Sequence, residues 1–160
     1  MPLTRVALDA DDTEDVLALY REYGWWDDRD RDDVERALAN TDVGVGLRDH
    51  DHGRDPATGD LVAAARVVTD FVYYARVYDV VVAGDRRGEG VGTALMEAVS
   101  EHEDLRDVHL VLLCRDGLVS FYESIGFERY PESVAVPDEG VDGERELAQL
   151  IRVSGDADRE

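Results

Sequence analysis

The chain has 160 residues, of which 44% are apolar, enough for one hydrophobic core and hardly for two. Asp and Glu number 38 against 17 basic residues, all arginine, which argues against nucleic acids and anionic membranes as partners because both bind through surplus Lys and Arg. The single cysteine, Cys114, excludes an internal disulfide and a cysteine-based zinc site.

The first half of the chain predicts a strand, two helices and a hairpin. A short strand over 4–8 precedes a helix with an acidic first turn and apolar residues at helical spacing. We expect this helix to end near Gly24. A shorter helix ends at Asn40. Two strands, over 43–49 and 61–70, flank a connector rich in Gly and Pro and form a hairpin.

The second half predicts a strand, helix, strand crossover followed by a helix and a strand. The strand over 75–83 leads through a glycine-rich loop into a helix, and the apolar run 108–114 predicts a strand buried on both faces, as in a parallel pair. A helix over 117–127 is expected to use Gly126 as its C-terminal cap. A last strand is expected over 128–136.

The loop between that strand and its helix has the features of a phosphate site. Glycines at 88, 90 and 92 allow a phosphate to approach the main chain, and the helix N-terminus supplies unpaired N–H groups and a positive dipole end. A P-loop is excluded because it requires lysine, and the GxGxG spacing does not match the GxGxxG dinucleotide fingerprint. A purely structural glycine turn is the remaining alternative.

Two motifs resemble those of a known family. Arg87-x-x-Gly90-x-Gly92 resembles the acetyl-CoA pyrophosphate loop of the GCN5-related N-acetyltransferase (GNAT) superfamily, and FYESIGF, from Phe121 to Phe127, resembles its FYxxxGF element. The resemblance implies the GNAT fold, an α/β (α+β) architecture with a central, mixed and mostly antiparallel sheet, one splayed parallel strand pair and helices on both faces. The resemblance covers most of residues 1–136, and with the length of the chain it leads us to expect a single GNAT domain over 1–153. We expect the acidic tail over 154–160 to be disordered.

The resemblance implies acetyl-CoA as the acetyl donor and assigns its contacts. The pantetheine arm would pair with the main chain of Val80 and Val82. The pyrophosphate loop would comprise Arg87, Gly88, Glu89, Gly90, Val91, Gly92 and Thr93. The side chain of Glu89 is expected to face solvent, since an anion repels the ligand. No metal site is predicted: the carboxylate-rich connector at 49–60 only faintly resembles a calcium loop.

Tyr122 and Asp79 are the predicted catalytic residues. In the family the tyrosine of FYxxxGF donates a proton to the departing thiolate, which suits a phenol; the alternative is a core aromatic. Asp79 lies in the central strand, where strand alternation predicts that it shares a side with Val77, Val81 and Ala83. It serves either as the base for the amine proton, directly or through water, or in a structural hydrogen-bonding role.

The acceptor is predicted to be a primary amine of a small molecule or a peptide. Trp25 or Trp26 would stack on an aromatic or cationic amine, with half-buried packing as the alternative for either. Tyr73, which precedes the central strand, is the third candidate for the acceptor site. A homodimer is left open.

The resemblance therefore implies an N-acetyltransferase in which the amine attacks acetyl-CoA directly in a ternary complex. The alternative is a catalytically inactive acyl-CoA-binding sensor or regulatory module, which need not retain both Asp79 and Tyr122. The net charge of -21 resembles that of haloarchaeal proteins, whose carboxylates keep them hydrated in molar salt. With no apolar stretch of membrane-spanning length and no signal-like start, we expect a cytoplasmic protein.

Overall fold

The computed structural model describes residues 3–50, 59–129 and 152, and within them the chain forms a five-stranded sheet and four α-helices. The strands are β1 (Leu3–Ala7), β2 (Val43–Asp49), β3 (Asp60–Thr69), β4 (Tyr74–Val82) and β5 (His109–Leu112). The helices are α1 (Thr13–Tyr20), α2 (Arg31–Ala39), α3 (Val91–Ser100) and α4 (Val119–Ser124). The chain divides into two compact units between Cys114 and Arg115, so that α4 alone of these elements belongs to the second unit.

The sheet has the predicted mixed architecture. Its order is β1-β2-β3-β4-β5, with three antiparallel pairs and a parallel pair of β4 with β5. Helix α3 connects the parallel strands, which confirms the predicted crossover. Helix α1 packs against β3 and β4, and α3 packs against β2, β3 and β4. Because successive side chains of β3 from Val62 to Ala65 are all buried, both faces of the sheet are covered.

The first helix is shorter than predicted. It ends at Tyr20, and the chain continues through a turn and a 3-10 helix, Gly24–Trp26. Its buried residues include Val16 and Tyr20, as the apolar spacing predicts. Tyr23, expected on the same helix, instead directs its hydroxyl to the main chain of β4.

Strand β5 departs from its predicted burial. His109 is exposed and the next three residues are half-buried, so the expectation of burial on both faces is wrong for these residues. The apolar run 108–114 is matched by a strand of four residues, and Leu113 beyond it is exposed. The physical reason is position: of the described strands β5 is the last in the sheet, so its side chains have neighbouring strand residues on one side only.

The second unit begins with a 3-10 turn, Asp116–Leu118, which leads into α4. The helix ends as predicted, with Gly126 at φ 103°. The Gly126 N–H donates to the Glu123 carbonyl at 3.2 Å and the Phe127 N–H to the Tyr122 carbonyl at 3.0 Å, the pair of bonds of a Schellman motif. Residues 128 and 129 are irregular; the rest of the predicted last strand and the acidic tail lie outside the described residues.

A β-bulge interrupts β4 at Asp79. Asp79 and Val80 together lie opposite the single residue Ala65 of β3. Asp79 adopts φ 55°, a left-handed conformation that few residues other than glycine take. The bulge therefore fixes the backbone at the one carboxylate in this strand.

The bulge also decides which way Asp79 points. Arg66 of β3 lies opposite Tyr78, and so on the other side of the sheet from Val77. The Arg66 Nε bonds the Asp79 carboxylate at 2.9 Å. The prediction that Asp79 shares a side with Val77 is therefore wrong, because regular alternation does not continue through a bulge.

Candidate functional site

The loop between β4 and α3 is shaped by two glycines. Gly88 and Gly90 adopt φ 78° and φ 82°, where a side chain would be strained. Gly90 is the N-cap of α3 and has no side chain with which to cap it. The first N–H groups of the helix have no acceptor within it, because an α-helix leaves those donors unpaired.

The charge around this helix start differs from that at the other helices of the first unit. Helices α1 and α2 each carry two acidic residues in the first turn, whereas α3 carries none. Glu89 precedes the turn and is exposed. No carboxylate in the first turn of α3 therefore neutralises the positive end of the helix dipole. In so acidic a chain, this helix start is suited to bind an anion.

The edge of β4 next to the loop has main-chain groups directed away from β3. The Ala83 N–H donates to the Val62 carbonyl at 2.8 Å, so by alternation the N–H and C=O of Val82 point the other way. In the described part of the chain, β5 pairs with Tyr74–Val77 and no farther along β4. The stretch from Val80 to Val82 thus offers main-chain groups to an extended ligand, among them the Val82 N–H. The Val82 C=O also accepts the Tyr23 hydroxyl at 2.5 Å.

Asp79 lies at the centre of a half-buried cluster. Its carboxylate, 10% exposed, accepts hydrogen bonds from Arg66 Nε at 2.9 Å and from Arg29 Nη2 at 3.1 Å. The second terminal nitrogen of Arg29 lies 3.0 Å from the other carboxylate oxygen, and the Tyr20 hydroxyl donates to it at 3.4 Å. One carboxylate thereby holds side chains from β3, from α1 and from the segment before α2.

These neighbours determine the protonation of Asp79. Burial alone would raise its pKa, but the hydrogen bonds and charges of Arg29 and Arg66 outweigh burial and hold the pKa below the usual value. Burial, assisted by the Asp79 charge, raises the pKa of the Tyr20 phenol, which therefore stays protonated and able to donate. Asp79 is thus a stable carboxylate and a weak proton acceptor.

The predicted acceptor residues have different surroundings. The guanidinium carbon of Arg29 lies 5.0 Å from the ring centre of Trp26 and 4.9 Å from that of Tyr20, so Trp26 is half-buried against a cation of this chain. Trp25 is 50% exposed, and its ring centre lies 5.0 Å from that of Tyr23. Tyr73 lies in the exposed turn between β3 and β4.

Tyr122 belongs to the second unit and lies on α4. It is buried, and its ring packs edge-on against Phe121 at 5.0 Å and Phe127 at 5.6 Å between ring centres. The three aromatics of the motif thus form a local cluster. This packing agrees with a core role for the ring and does not test proton transfer by its hydroxyl.

Sequence reasoning missed three members of the Asp79 cluster. Arg66 carried a usable signal, since a lone charge in an apolar strand requires a partner just as Asp79 does. Tyr20 fits the apolar spacing of α1, a pattern that indicates packing and not a hydrogen bond to Asp79. Arg29 gave no signal, because it lies among exposed acidic residues and reaches Asp79 only through the tertiary fold.

The described residues form neither a metal centre nor a membrane-spanning helix. Over residues 3–50 and 59–129, no three His, Cys, Asp or Glu side chains come together as metal ligands. None of the helices in those ranges is long and apolar enough to span a membrane.

Comparison with known proteins identifies relatives of one kind. The sequence model of the GNAT acetyltransferase domain matches residues 48–129. A histone acetyltransferase of Glycine max is 31% identical over 127 residues, which are 77% of this chain and 54% of that protein. A chloroplastic serotonin N-acetyltransferase of Oryza sativa is 34% identical over 109 residues, 66% of this chain and 52% of that protein. The chain spans about half the length of these curated relatives.

Solved structures agree with these sequence matches. A protein of Xanthomonas campestris assigned to the same family superimposes with a TM-score of 0.65 and 26% identity, over 92% of this chain and 99% of that one. A GNAT-family protein of Streptococcus pneumoniae, 23% identical, has a TM-score of 0.66 over 97% of this chain and 100% of its own. At this identity the second match concerns the fold alone.

Proposed function

Because this chain belongs to the GNAT family of acetyltransferases, we propose that it transfers the acetyl group of acetyl-CoA to a primary amine. The observation that carries the proposal is the start of α3, where Gly88 and Gly90 clear the main chain and the first turn lacks acidic residues. In a chain with 38 carboxylates, a helix start suited to an anion fits the diphosphate of a coenzyme.

The residues of the loop and of β4 fit acetyl-CoA in two respects. The N–H groups of Val91, Gly92 and Thr93, with the Arg87 side chain, would bind the diphosphate. The main chain of Val80 and Val82 would pair with the amide groups of the pantetheine arm. When bound, acetyl-CoA supplies the acetyl group as a thioester, and no metal is needed.

Tyr122 and the amine carry the chemistry in this proposal. The amine attacks the acetyl carbonyl directly in a ternary complex, so that the protein acts mainly by positioning. Tyr122 donates a proton to the departing thiolate sulfur as the carbon–sulfur bond breaks and regains one from solvent, while the proton that the attacking nitrogen loses passes to water. We assign Asp79 the structural role, since a carboxylate held by Arg29 and Arg66 with a lowered pKa is a poor base for an ammonium group.

The acceptor is proposed only as a primary amine of a small molecule or a peptide. The relatives named above act on a histone and on serotonin, according to their names, and they extend beyond the part that this chain matches. Trp25 is the better placed of the two tryptophans to stack on an acceptor, because Arg29 already lies over the ring of Trp26.

Calorimetry with acetyl-CoA tests the coenzyme site. Gly90→Val should abolish measurable binding, because a β-branched side chain both obstructs the loop and disfavours φ 82°. Gly126→Val is the matched control: it imposes the same kind of strain at φ 103° outside the loop and should retain affinity. Equal affinity of a folded Gly90→Val protein and the wild type would contradict the assignment.

A thiol-release screen of an amine panel, in molar and in low salt, tests turnover. On an accepted amine, Tyr122→Phe should lower kcat by about 10²- to 10⁴-fold, the usual contribution of general acid catalysis, with acetyl-CoA affinity nearly unchanged. Wild-type kcat in this variant would remove Tyr122 from the mechanism. Tight acetyl-CoA binding with no amine turned over would favour the sensor alternative.

A further inference from the structure

Two residues shortly after α1, Glu22 and Tyr23, contact the end of β4 and the start of the glycine loop. Glu22 accepts a hydrogen bond from the Gly84 N–H at 2.7 Å, where the loop leaves β4. Tyr23 donates its hydroxyl to the Val82 carbonyl at 2.5 Å. The end of the first helix is therefore tied to the strand and to the loop that the proposed function assigns to the coenzyme.

Tyr23 also holds the side chain of Arg87. The Arg87 Nε donates to the Tyr23 hydroxyl at 3.2 Å, and the guanidinium carbon lies 4.7 Å from the ring centre. One phenol thus engages the arginine twice, through its oxygen and through the face of its ring. The same oxygen donates to Val82 and accepts from Arg87, which uses both capacities of a hydroxyl group.

These contacts leave the outer part of the guanidinium available. Arg87 is exposed, and within the described ranges its hydrogen bond to Tyr23 uses Nε alone. The two terminal nitrogens carry four further N–H donors in the plane that suits two phosphate oxygens. The terminal N–H groups of Arg87 lie on the side of the guanidinium that Tyr23 does not occupy, and they are the donors that a diphosphate requires.

Holding the arginine in advance has an energetic consequence. An exposed arginine samples many rotamers, and fixing such a side chain on binding costs free energy. The Tyr23 ring and hydroxyl restrict Arg87 before a ligand arrives, so that less of this cost falls on the binding step. Arg87 is the first residue of the predicted loop motif, whereas nothing in that motif includes Tyr23.

We propose that Tyr23 is a positioning residue for the coenzyme, holding Arg87 by its ring and hydroxyl so that the terminal nitrogens of Arg87 bind the diphosphate. This inference rests on the proposed function. It assigns Tyr23 no contact with the ligand. Its effect is therefore exerted through Arg87 and is absent without that side chain.

A double-mutant cycle on acetyl-CoA affinity tests the inference. Tyr23→Phe keeps the ring and removes the hydroxyl, and should weaken binding by about three- to tenfold, the worth of one net hydrogen bond. In the Arg87→Ala background the same change should have no effect. On an accepted amine, Tyr23→Phe should raise KM for acetyl-CoA and leave kcat unchanged. Tyr74→Phe, in a 50% exposed tyrosine, is the matched control and should bind as the wild type does.

The outcomes separate the inference from the proposed function. Unchanged affinity for acetyl-CoA in the Tyr23→Phe variant overturns the inference. A loss of affinity of equal size in the wild-type and Arg87→Ala backgrounds also overturns it, because the effect would then act through the Val82 carbonyl. In both cases the proposed function still holds if the wild type binds acetyl-CoA and the Gly90→Val variant does not bind it. A folded wild type without affinity for acetyl-CoA overturns both proposals. Melting temperatures of all variants show that each is folded.

Discussion

At the scale of single residues, Asp79 combines a costly backbone with strong side-chain contacts. Its left-handed φ of 55° costs about 1–2 kcal/mol for a residue with a Cβ. The contacts with Arg29, Arg66 and Tyr20 hold the bulge in place and offset that cost. The strained backbone conformation of Asp79 therefore occurs at the position where two guanidinium groups bind one carboxylate.

Asp79→Asn should lower the free energy of unfolding by about 1.5–3 kcal/mol at neutral pH, the range for a hydrogen bond to a charged group. The folded pKa of Asp79 is depressed, so its stabilisation is present above the unfolded value near 4 and is lost as pH falls towards the folded pKa. Urea unfolding of both proteins from pH 7 to pH 3 should show a constant difference above about pH 5 that shrinks below about pH 4. Asp104→Asn, at an exposed site, is the control. A difference that grows on acidification would contradict the ion-pair assignment.

The same variant separates the two roles of Asp79 in turnover. A structural role predicts a loss of rate of equal size at each pH, because misplaced arginines do not respond to the protonation of the amine. A base role predicts the greatest loss at low pH, where few amine molecules are neutral, and partial recovery at high pH. A pH–rate profile of wild type and Asp79→Asn on an accepted amine distinguishes them.

At the scale of elements, the close approach of β2 to the segment that follows β1 depends on glycine. The Leu8 N–H donates to the Gly44 carbonyl at 3.0 Å. A Cβ at Gly44 would lie 2.4 Å from the Leu8 carbonyl oxygen and 3.0 Å from its carbon. Since these are backbone atoms, the contact cannot be relieved by a change of rotamer, and the strand end or the segment after β1 must move.

Gly44→Ala should therefore destabilise the protein by about 1–3 kcal/mol, the usual cost of overpacking. Gly24→Ala is the matched control, because no atom lies within 4 Å of a Cβ built there, and it should change stability by no more than about 0.5 kcal/mol. Urea unfolding with equal slopes for the three proteins measures both effects. Equal stability of the two variants would refute the close approach.

At the scale of the whole molecule, the charge of -21 opposes the compact state. Exposed ion pairs such as that between Arg5 and Glu101 contribute little on balance. The Debye length falls from about 10 Å at 0.1 M salt to about 3 Å at 1 M, so repulsion between carboxylates is strongly screened in molar salt. The Asp79 cluster, being partly buried, is screened less.

The melting temperature should therefore rise continuously from low to molar salt. Sodium chloride and potassium chloride at equal ionic strength should act alike if screening is the cause, and sucrose is the control for an effect that does not depend on charge. A melting temperature that is flat across the series would contradict the interpretation of the composition as an adaptation to salt.

The residue pattern alone predicted the antiparallel pair of β2 and β3, the crossover through α3 and the position of the glycine loop, because apolar periodicity and glycine spacing are local patterns that survive folding. It determined Gly126 as a helix cap for the same reason. The mixed sheet as a whole followed from the resemblance of two motifs to a known family. The prediction of the coenzyme contacts and of Tyr122 came from the same two short motifs and remains a prediction.

The surroundings of Asp79 and Tyr23 depend on tertiary contacts and could not be predicted from the sequence. The bulge breaks the alternation from which the orientation of Asp79 was predicted, and a bulge has no local signature when its residue is not glycine. Arg29 reaches Asp79 across 50 residues, and Tyr23 reaches Val82 across 59. Contacts at such separations depend on how α1 packs on the sheet, which no local pattern contains.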